Sequence, residues 1–151
     1  MDIFMNKYDN KPVSTYLSYF HRIGSSFLSK SYEKYGIGSG QYQFLIQLYL
    51  NDGISHDILT EKVAVDKATT TRAIKKLQDA GYVKVEINEK DKRKYHIFLT
   101  DKAKELKNEI FEVYYLWDEL LVKSLSEDEI NNLLSTFKKM YENGLDRFLI
   151  K

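Results

Sequence analysis

Hydrophobic positions along the chain first follow a helical period. Val13, Tyr16, Leu17, Phe20, Ile23, Phe27 and Leu28 recur at three- and four-residue steps, which predicts an amphipathic helix running to about residue 34 with one side buried. Residues 1–12 read as a loose lead-in, and Gly36, Gly38 and Gly40 break the pattern after it. Residues 41–50 are apolar on most sides (Tyr42, Phe44, Leu45, Ile46, Leu48, Tyr49), which predicts a short buried helix closed by Asn51-Asp52-Gly53. Ser55 suits the cap of the next helix, with Ile58, Leu59 and Val63 packing it against the helix after it. Asp66 is a second N-cap, because its carboxylate can accept a bond from an orphan backbone N–H one turn in. Residues 67–80 are rich in helix formers, and Gly81 offers the left-handed conformation that ends many helices.

Beyond Gly81 the period becomes two. Val83, Val85 and Ile87 alternate with Lys84 and Glu86, and Tyr95, Ile97 and Leu99 alternate with His96 and Phe98. The polar, basic stretch 88–94 lies between them, so the two runs predict a hairpin. Thr100 then caps a long helix in which Ala103, Leu106, Ile110, Val113, Trp117, Leu120 and Ser124 follow a near-heptad seam. Phe111, Tyr114, Tyr115, Leu121 and Val122 widen that apolar face. Ser126 and Glu129 form a capping box for a last helix with Ile130, Leu133, Leu134, Phe137, Met140, Leu145 and Phe148 on one side. The fold class is mainly α with a small β-hairpin. It is a winged helix-turn-helix at about 37–100, flanked by helices at about 10–35 and 101–150, in one domain spanning 1–151.

Length and composition narrow the class. One hundred and fifty-one residues suit a single domain with a sizeable core, and the composition is globular. The absence of cysteine excludes disulfides, thiolate metal sites and thiol redox sensing. No secretory h-region appears, and no apolar run approaches the ~20 residues a membrane helix needs, so a cytoplasmic protein without a membrane partner is expected. The overall charge of +1 says nothing about nucleic acid, but its distribution does. Residues 66–94 carry nine Lys and Arg against five Asp and Glu, whereas residues 101–151 carry eight against eleven.

The basic segment has a specific arrangement. Thr70, Ala73, Ile74 and Leu77 share one face of the helix at 67–80, which leaves Lys67, Thr69, Thr71, Arg72, Lys75 and Lys76 on the other. Such a helix fits a DNA major groove, where Arg and Thr can read base edges and Lys can hold phosphates. A merely solvated charged face is the competing reading of that helix alone. The hairpin tip, Lys90, Asp91, Lys92, Arg93 and Lys94, could reach phosphate or a minor groove. Thr69, Thr71 and Arg72 are the expected base readers. Lys67, Lys75 and Lys76 are expected on phosphates, Arg93 in the minor groove or on its backbone, and Asp91 bracing the loop through an ion pair.

These residues resemble the MarR family of bacterial winged-helix regulators. The stretch DKATTTRAIKKLQDAGYV is similar to that family's recognition helix and its exit into the wing. Asp91-Lys92-Arg93 resembles its D-x-R wing motif, and LTDKAKEL resembles its LT-x-x-G junction, with Ala103 where glycine is usual. The resemblance covers nearly the whole chain. It implies double-stranded DNA as partner, most often repression, and a homodimer formed through N- and C-terminal dimerisation helices. The surplus of apolar helix surface agrees with a dimer, although the helices packing on one another would also use it. A two-fold pair would present two readers to a pseudo-palindrome with half-sites about one helical turn (~34 Å) apart.

The resemblance also implies a small phenolic or anionic effector bound between reader and dimer helices, with Tyr16, Phe20, Arg22 and Tyr42 as candidate ligand-binding residues. Aromatic residues at helical spacing are otherwise core. His21, His56 and His96 lie on different elements without ligand spacing, so each reads as structural or surface and no metal site or cofactor is expected. No P-loop, G-x-S-x-G or H-E-x-x-H motif is present, and the glycine-rich 36–40 joins two helices, so no catalytic residues are assigned. The alternative to specific DNA binding is a winged-helix protein-interaction module.

Overall fold

The computed structural model describes residues 11–91 and 94–145. Helix α1, Val13–Tyr32, starts after Pro12 and ends in a 3₁₀ turn, Glu33–Tyr35, that Gly36 closes at φ 69°. Helices α2 (Tyr42–Leu50), α3 (His56–Val63) and α4 (Lys67–Asp79) come next. Strands β1 (Val83–Ile87) and β2 (Tyr95–Leu99) pair antiparallel, Val83 opposite Leu99 and Ile87 opposite Tyr95. Helices α5 (Asp101–Glu105), α6 (Lys107–Val122) and α7 (Glu127–Met140) complete the order, with a single π turn over Tyr141–Leu145.

The starts of these elements are those the side chains dictate. Ser55 accepts from the N–H of Ile58, Asp66 from that of Thr69, and Thr100 from that of Ala103. Ser126 and Glu129 form the full reciprocal box at the head of α7. Gly81, at φ 80°, turns the chain from α4 into β1.

Helices α2, α3 and α4 and the hairpin enclose a dry core. Leu45, Leu48, Leu59, Leu77, Tyr82 and Ile97 are fully buried there. Burying each such aliphatic side chain is worth about 1.5–3 kcal/mol. Three buried phenols tie the flanking segments to this core. The Tyr49 hydroxyl donates to the Ala103 carbonyl, that of Tyr32 to Ile110 (2.9 Å), and that of Tyr82 to Tyr35 (2.6 Å). Burial pushes all three phenols above the ordinary tyrosine range, so each keeps the proton it donates.

Three expectations are corrected. The helix after Thr100 is not continuous: Leu106, at φ −88° and ψ 7°, separates α5 from α6. A leucine in register with the apolar stripe gives no local sign of such a break. The two-stranded hairpin stands as expected, and the turn before α3 is tied to it: Ser55 forms an isolated bridge with His96, the Gly53 N–H donates to Ile97 and the Ile97 N–H donates to Ile54. Ile58 is exposed and does not pack α3 on the reader, a job done by Leu59 and Thr60. Lastly, the apolar stripe of α1 is buried only in its second half, at Gly24, Leu28 and Tyr32. Val13, Leu17, Phe20 and Ile23 face outward, Ile23 being 58% exposed.

The same holds at the other end of the chain. Leu116, Leu120 and Leu121 on α6 and Leu133, Leu134 and Phe137 on α7 are exposed, and α7 buries none of its residues. Helices α1 and α6 cross where Gly24 meets the Trp117 ring. The contact is so close that an added Cβ would lie 2.7 Å from it.

Candidate nucleic-acid interface

Helix α4 is positioned by its buried side. Thr70, Ala73, Ile74 and Leu77 face the core, and the Thr60 hydroxyl donates to that of Thr70 at 2.8 Å, closing the α3–α4 seam. The opposite side presents Lys67, Thr71, Arg72, Lys75 and Lys76 to solvent, with Thr69 half-buried beside them.

Those groups are organised before any ligand arrives. One oxygen of Asp66 accepts the Thr69 N–H at 2.7 Å and the other accepts the Thr69 hydroxyl at 2.8 Å. These bonds hold the Asp66 carboxyl below the usual carboxylate range. The Thr69 oxygen accepts in turn from the Arg72 guanidinium at 2.9 Å. A capping residue thus sets, through Thr69, the direction of an arginine nearly two turns later. Lys67 lies 2.9 Å from Asp57 of α3, which raises the lysine and lowers the aspartate from their ordinary values. Lys75 lies 3.5 Å from Asp79. Exposed pairs of this kind contribute little stability, so a phosphate oxygen can replace the carboxylate at small cost.

Thr71 is held from a second element as well as from its own helix. Its hydroxyl lies 2.9 Å from the Lys67 carbonyl and 3.1 Å from Nε2 of His56. His56 is only 7% exposed and packs on the Tyr95 ring of β2, centroids 4.9 Å apart. Burial pushes its pKa below the ordinary histidine value, Lys67 acts in the same sense, and Asp57 opposes them. Sequence reasoning treated His56 as structural or surface and missed this link, because the spacing of 15 residues between His56 and Thr71 belongs to no local motif.

At the hairpin tip the Asn88 N–H donates to the Lys94 carbonyl (2.9 Å) and the Lys94 N–H to the Asp91 carbonyl (2.8 Å). The Asn88 side chain accepts from the Lys90 N–H. Lys90 and Lys94 are exposed and Asp91 is half-buried. Lys92 and Arg93, and with them the reach expected of Arg93, lie outside the described residues.

A cavity of about 430 Å³ opens between α1, α2, α3 and α6. Phe20 and Tyr42 line it, together with His21, Lys62 and Trp117. Tyr16 and Arg22 do not. Tyr16 packs edge-on to Tyr19, and the Arg22 guanidinium sits over the Tyr19 ring at 5.2 Å. The reason is helical geometry: Arg22 points about 100° away from His21 and falls beside the residue three positions earlier. Among the described residues no group of three or more His, Asp or Glu is placed to hold a metal ion, and no helix is long and apolar enough to cross a membrane.

Residues 37–95, from the start of the glycine-rich turn to the first residue of β2, match the MarR family. A MarR transcriptional regulator from Methanosarcina mazei superposes with a TM-score of 0.80 and 39% identity, covering 88% of this chain and 89% of that one. The chain belongs to the MarR family. The HTH-type transcriptional regulator BilQ of Clostridioides difficile is 31% identical over 108 residues, covering 72% of this chain and 73% of BilQ. A MarR family regulator from Listeria monocytogenes, solved in complex with a 26mer DNA, superposes with a TM-score of 0.83 at 27% identity, covering 92% and 93% of the two chains. This MarR-family protein is accordingly a DNA-binding transcriptional regulator, of a non-enzymatic family. The LT-x-x-G resemblance falls at the start of α5, where Thr100 caps the helix and Ala103 is fully buried without disturbing it, whereas the D-x-R resemblance runs into residues outside the described ones.

Proposed function

We propose that the chain acts as a homodimeric repressor that reads a pseudo-palindromic operator. Two α4 helices would enter successive major grooves, with Thr69, Thr71 and Arg72 on base edges and Lys67, Lys75 and Lys76 on phosphates. The wing tips would follow the flanking backbone through Lys90 and Lys94, with Lys92 and Arg93 completing the approach and Asp91 bracing it. The observation that carries this reading is the outward side of α4: cations and hydroxyls pre-set by hydrogen bonds on a helix whose other side is locked into the core. The exposed apolar rows on α1, α6 and α7 support association of two chains through those helices.

The reading includes release by a small phenolic or anionic molecule. The cavity beside α3 suits one, since Phe20 and Trp117 offer ring surfaces and Lys62 and His21 offer polar ends. Trp117 is the single tryptophan and reports on occupancy by its emission.

Selection of bound sequences from a random duplex pool tests the DNA reading. The expected product is an inverted repeat with half-sites about one turn apart, bound with an affinity that falls steeply with salt. Recovery of an unrelated pool, or binding to protein partners that ignores salt, would remove it.

A further inference from the structure

The contact between His56 and Thr71 has a polarity, and that polarity bears on which base the protein accepts. A threonine hydroxyl carries one proton and two lone pairs. The Lys67 carbonyl, 2.9 Å from Thr71 Oγ1, can only accept, so the hydroxyl proton is directed there. His56 Nε2, 3.1 Å away on the neighbouring helix, satisfies the same oxygen only by donating. Both contacts together leave Thr71 with one lone pair to offer outward and no proton. They also fix the side-chain rotamer. We propose that His56 is a positioning residue for base reading, which holds Thr71 as an acceptor and thereby makes its half-site position reject guanine. In the major groove adenine and cytosine offer an exocyclic amine, thymine offers the O4 acceptor beside a methyl group that the threonine methyl can meet, and guanine offers only the acceptors N7 and O6. An acceptor placed against guanine meets no donor and loses the water it gave up.

The surroundings of His56 make it suited to this task. It sits on α3, under Tyr95 of the wing, and its ring contacts both the hairpin and α4. Ser55, Asp57, Lys94 and His96 line the small cavity on its other side, and Lys67 approaches from α4. Burial favours the neutral ring, in which a single proton must be placed on one nitrogen or the other. The hydroxyl arrangement assigns it to Nε2.

This inference rests on α4 entering the major groove, and the two can fail separately. Pool selections are carried out with the wild-type chain, Thr71→Val, His56→Leu and His56→Gln. In the wild type one position per half-site should exclude guanine by about five-fold or more, the size of a single unfavourable base pair. Thr71→Val should admit guanine there. His56→Leu should admit it at the same position only, because the hydroxyl, held then by the Lys67 carbonyl alone, can rotate away from it and donate to the base. His56→Gln, whose amide can still donate, should restore the exclusion. The Thr71→Val/His56→Leu double variant should be no broader than Thr71→Val. Ring ¹⁵N spectra of the wild type should place the proton on Nε2, a measurement that stands even if a variant fails to fold. A proton on Nδ1, or a His56→Leu selection identical to wild type while Thr71→Val is altered, overturns the inference. A wild-type protein that selects no sequence takes down the DNA reading and the inference with it.

Discussion

Leu48 and Leu134 sit at equally regular helical positions, yet Leu48 is sealed in the reader and Leu134 on α7 is 60% exposed. The core of the reader resembles the first and much of the flanking helices the second. In the reader, α2, α3, α4 and the hairpin close on one another within a single chain. In the flanking helices the apolar rows of the first half of α1, the end of α6 and all of α7 find no cover among the described residues. A hydrophobic period therefore tells which side of a helix avoids water, and is silent about what covers it. The reader's core is closed within the chain, and in the proposed homodimer the flanking helices would be closed by a second copy.

The largest test of that contrast uses one substitution in both places. Leu48→Ala should cost about 2–5 kcal/mol in urea unfolding, since it empties a site that cannot collapse freely. Leu134→Ala, measured at a dilution where chains are separate, should stay within about 0.5 kcal/mol. Sedimentation at higher concentration should reverse the ranking, with Leu134→Glu weakening association far more than it alters the reader. Equal losses of stability at high dilution would abolish the distinction.

The next effect belongs to the reader's outer side alone. Arg72→Ala should lose about 1–3 kcal/mol of operator affinity and relax one base position, with no change in association, as read by titration against matched and mismatched duplexes. Lys75→Ala should instead weaken all sequences alike and reduce the salt slope by about 1. Arg72→Ala with unchanged sequence preference would remove the base-reading role of that side.

Gly24 probes the junction between the two regions. Gly24→Ala improves helix propensity by about 0.5–1 kcal/mol, but its methyl would meet the Trp117 ring. Overpacking of this kind costs about 1–3 kcal/mol, so a net loss near 1 kcal/mol and a shift in Trp117 emission are expected. A gain in stability would show that the α1–α6 crossing yields easily.

The smallest effect is a pH dependence confined to the reader. His56 has its pKa lowered in the fold, so between that value and the ordinary 6.5 the unfolded chain binds more protons than the folded one. Its contribution to stability is full above that window and declines as pH falls through it. The urea midpoint should drop between about pH 7.5 and about pH 5.5, and His56→Gln should drop less. An identical drop in both would assign the acid sensitivity elsewhere.

Much of this architecture was legible because its signals are local. Both strands run over the residues the alternation marked, and Ser55, Asp66, Thr100 and Ser126 each cap as their positions imply. The outward set on α4 follows from its buried row of Thr70, Ala73, Ile74 and Leu77. What escaped depends on distant partners. The bridge from Ser55 to His96 lies at the end of an apparent turn and pairs it with a segment about 40 residues later. Lys62 and Trp117 reach the cavity from helices 55 residues apart in sequence, while Arg22, adjacent to His21, turns away to Tyr19. His56 reads from the sequence only as structural or surface, since neither Thr71 nor Tyr95 is near it along the chain.

The interruption at Leu106 has a geometric consequence for a two-fold assembly. The backbone is not left open there: the Leu106 N–H still donates to Lys102 and its carbonyl still accepts from Ile110. Up to that residue the chain is fastened to the reader through Ala103, and beyond it α6 runs on towards the outward apolar rows. One added residue beside 106 would rotate everything downstream by about 100° and advance it by about 1.5 Å. In a paired molecule the phase between the two groove-facing helices is then metered by a leucine that touches no base, and the tolerated operator spacing would change with it.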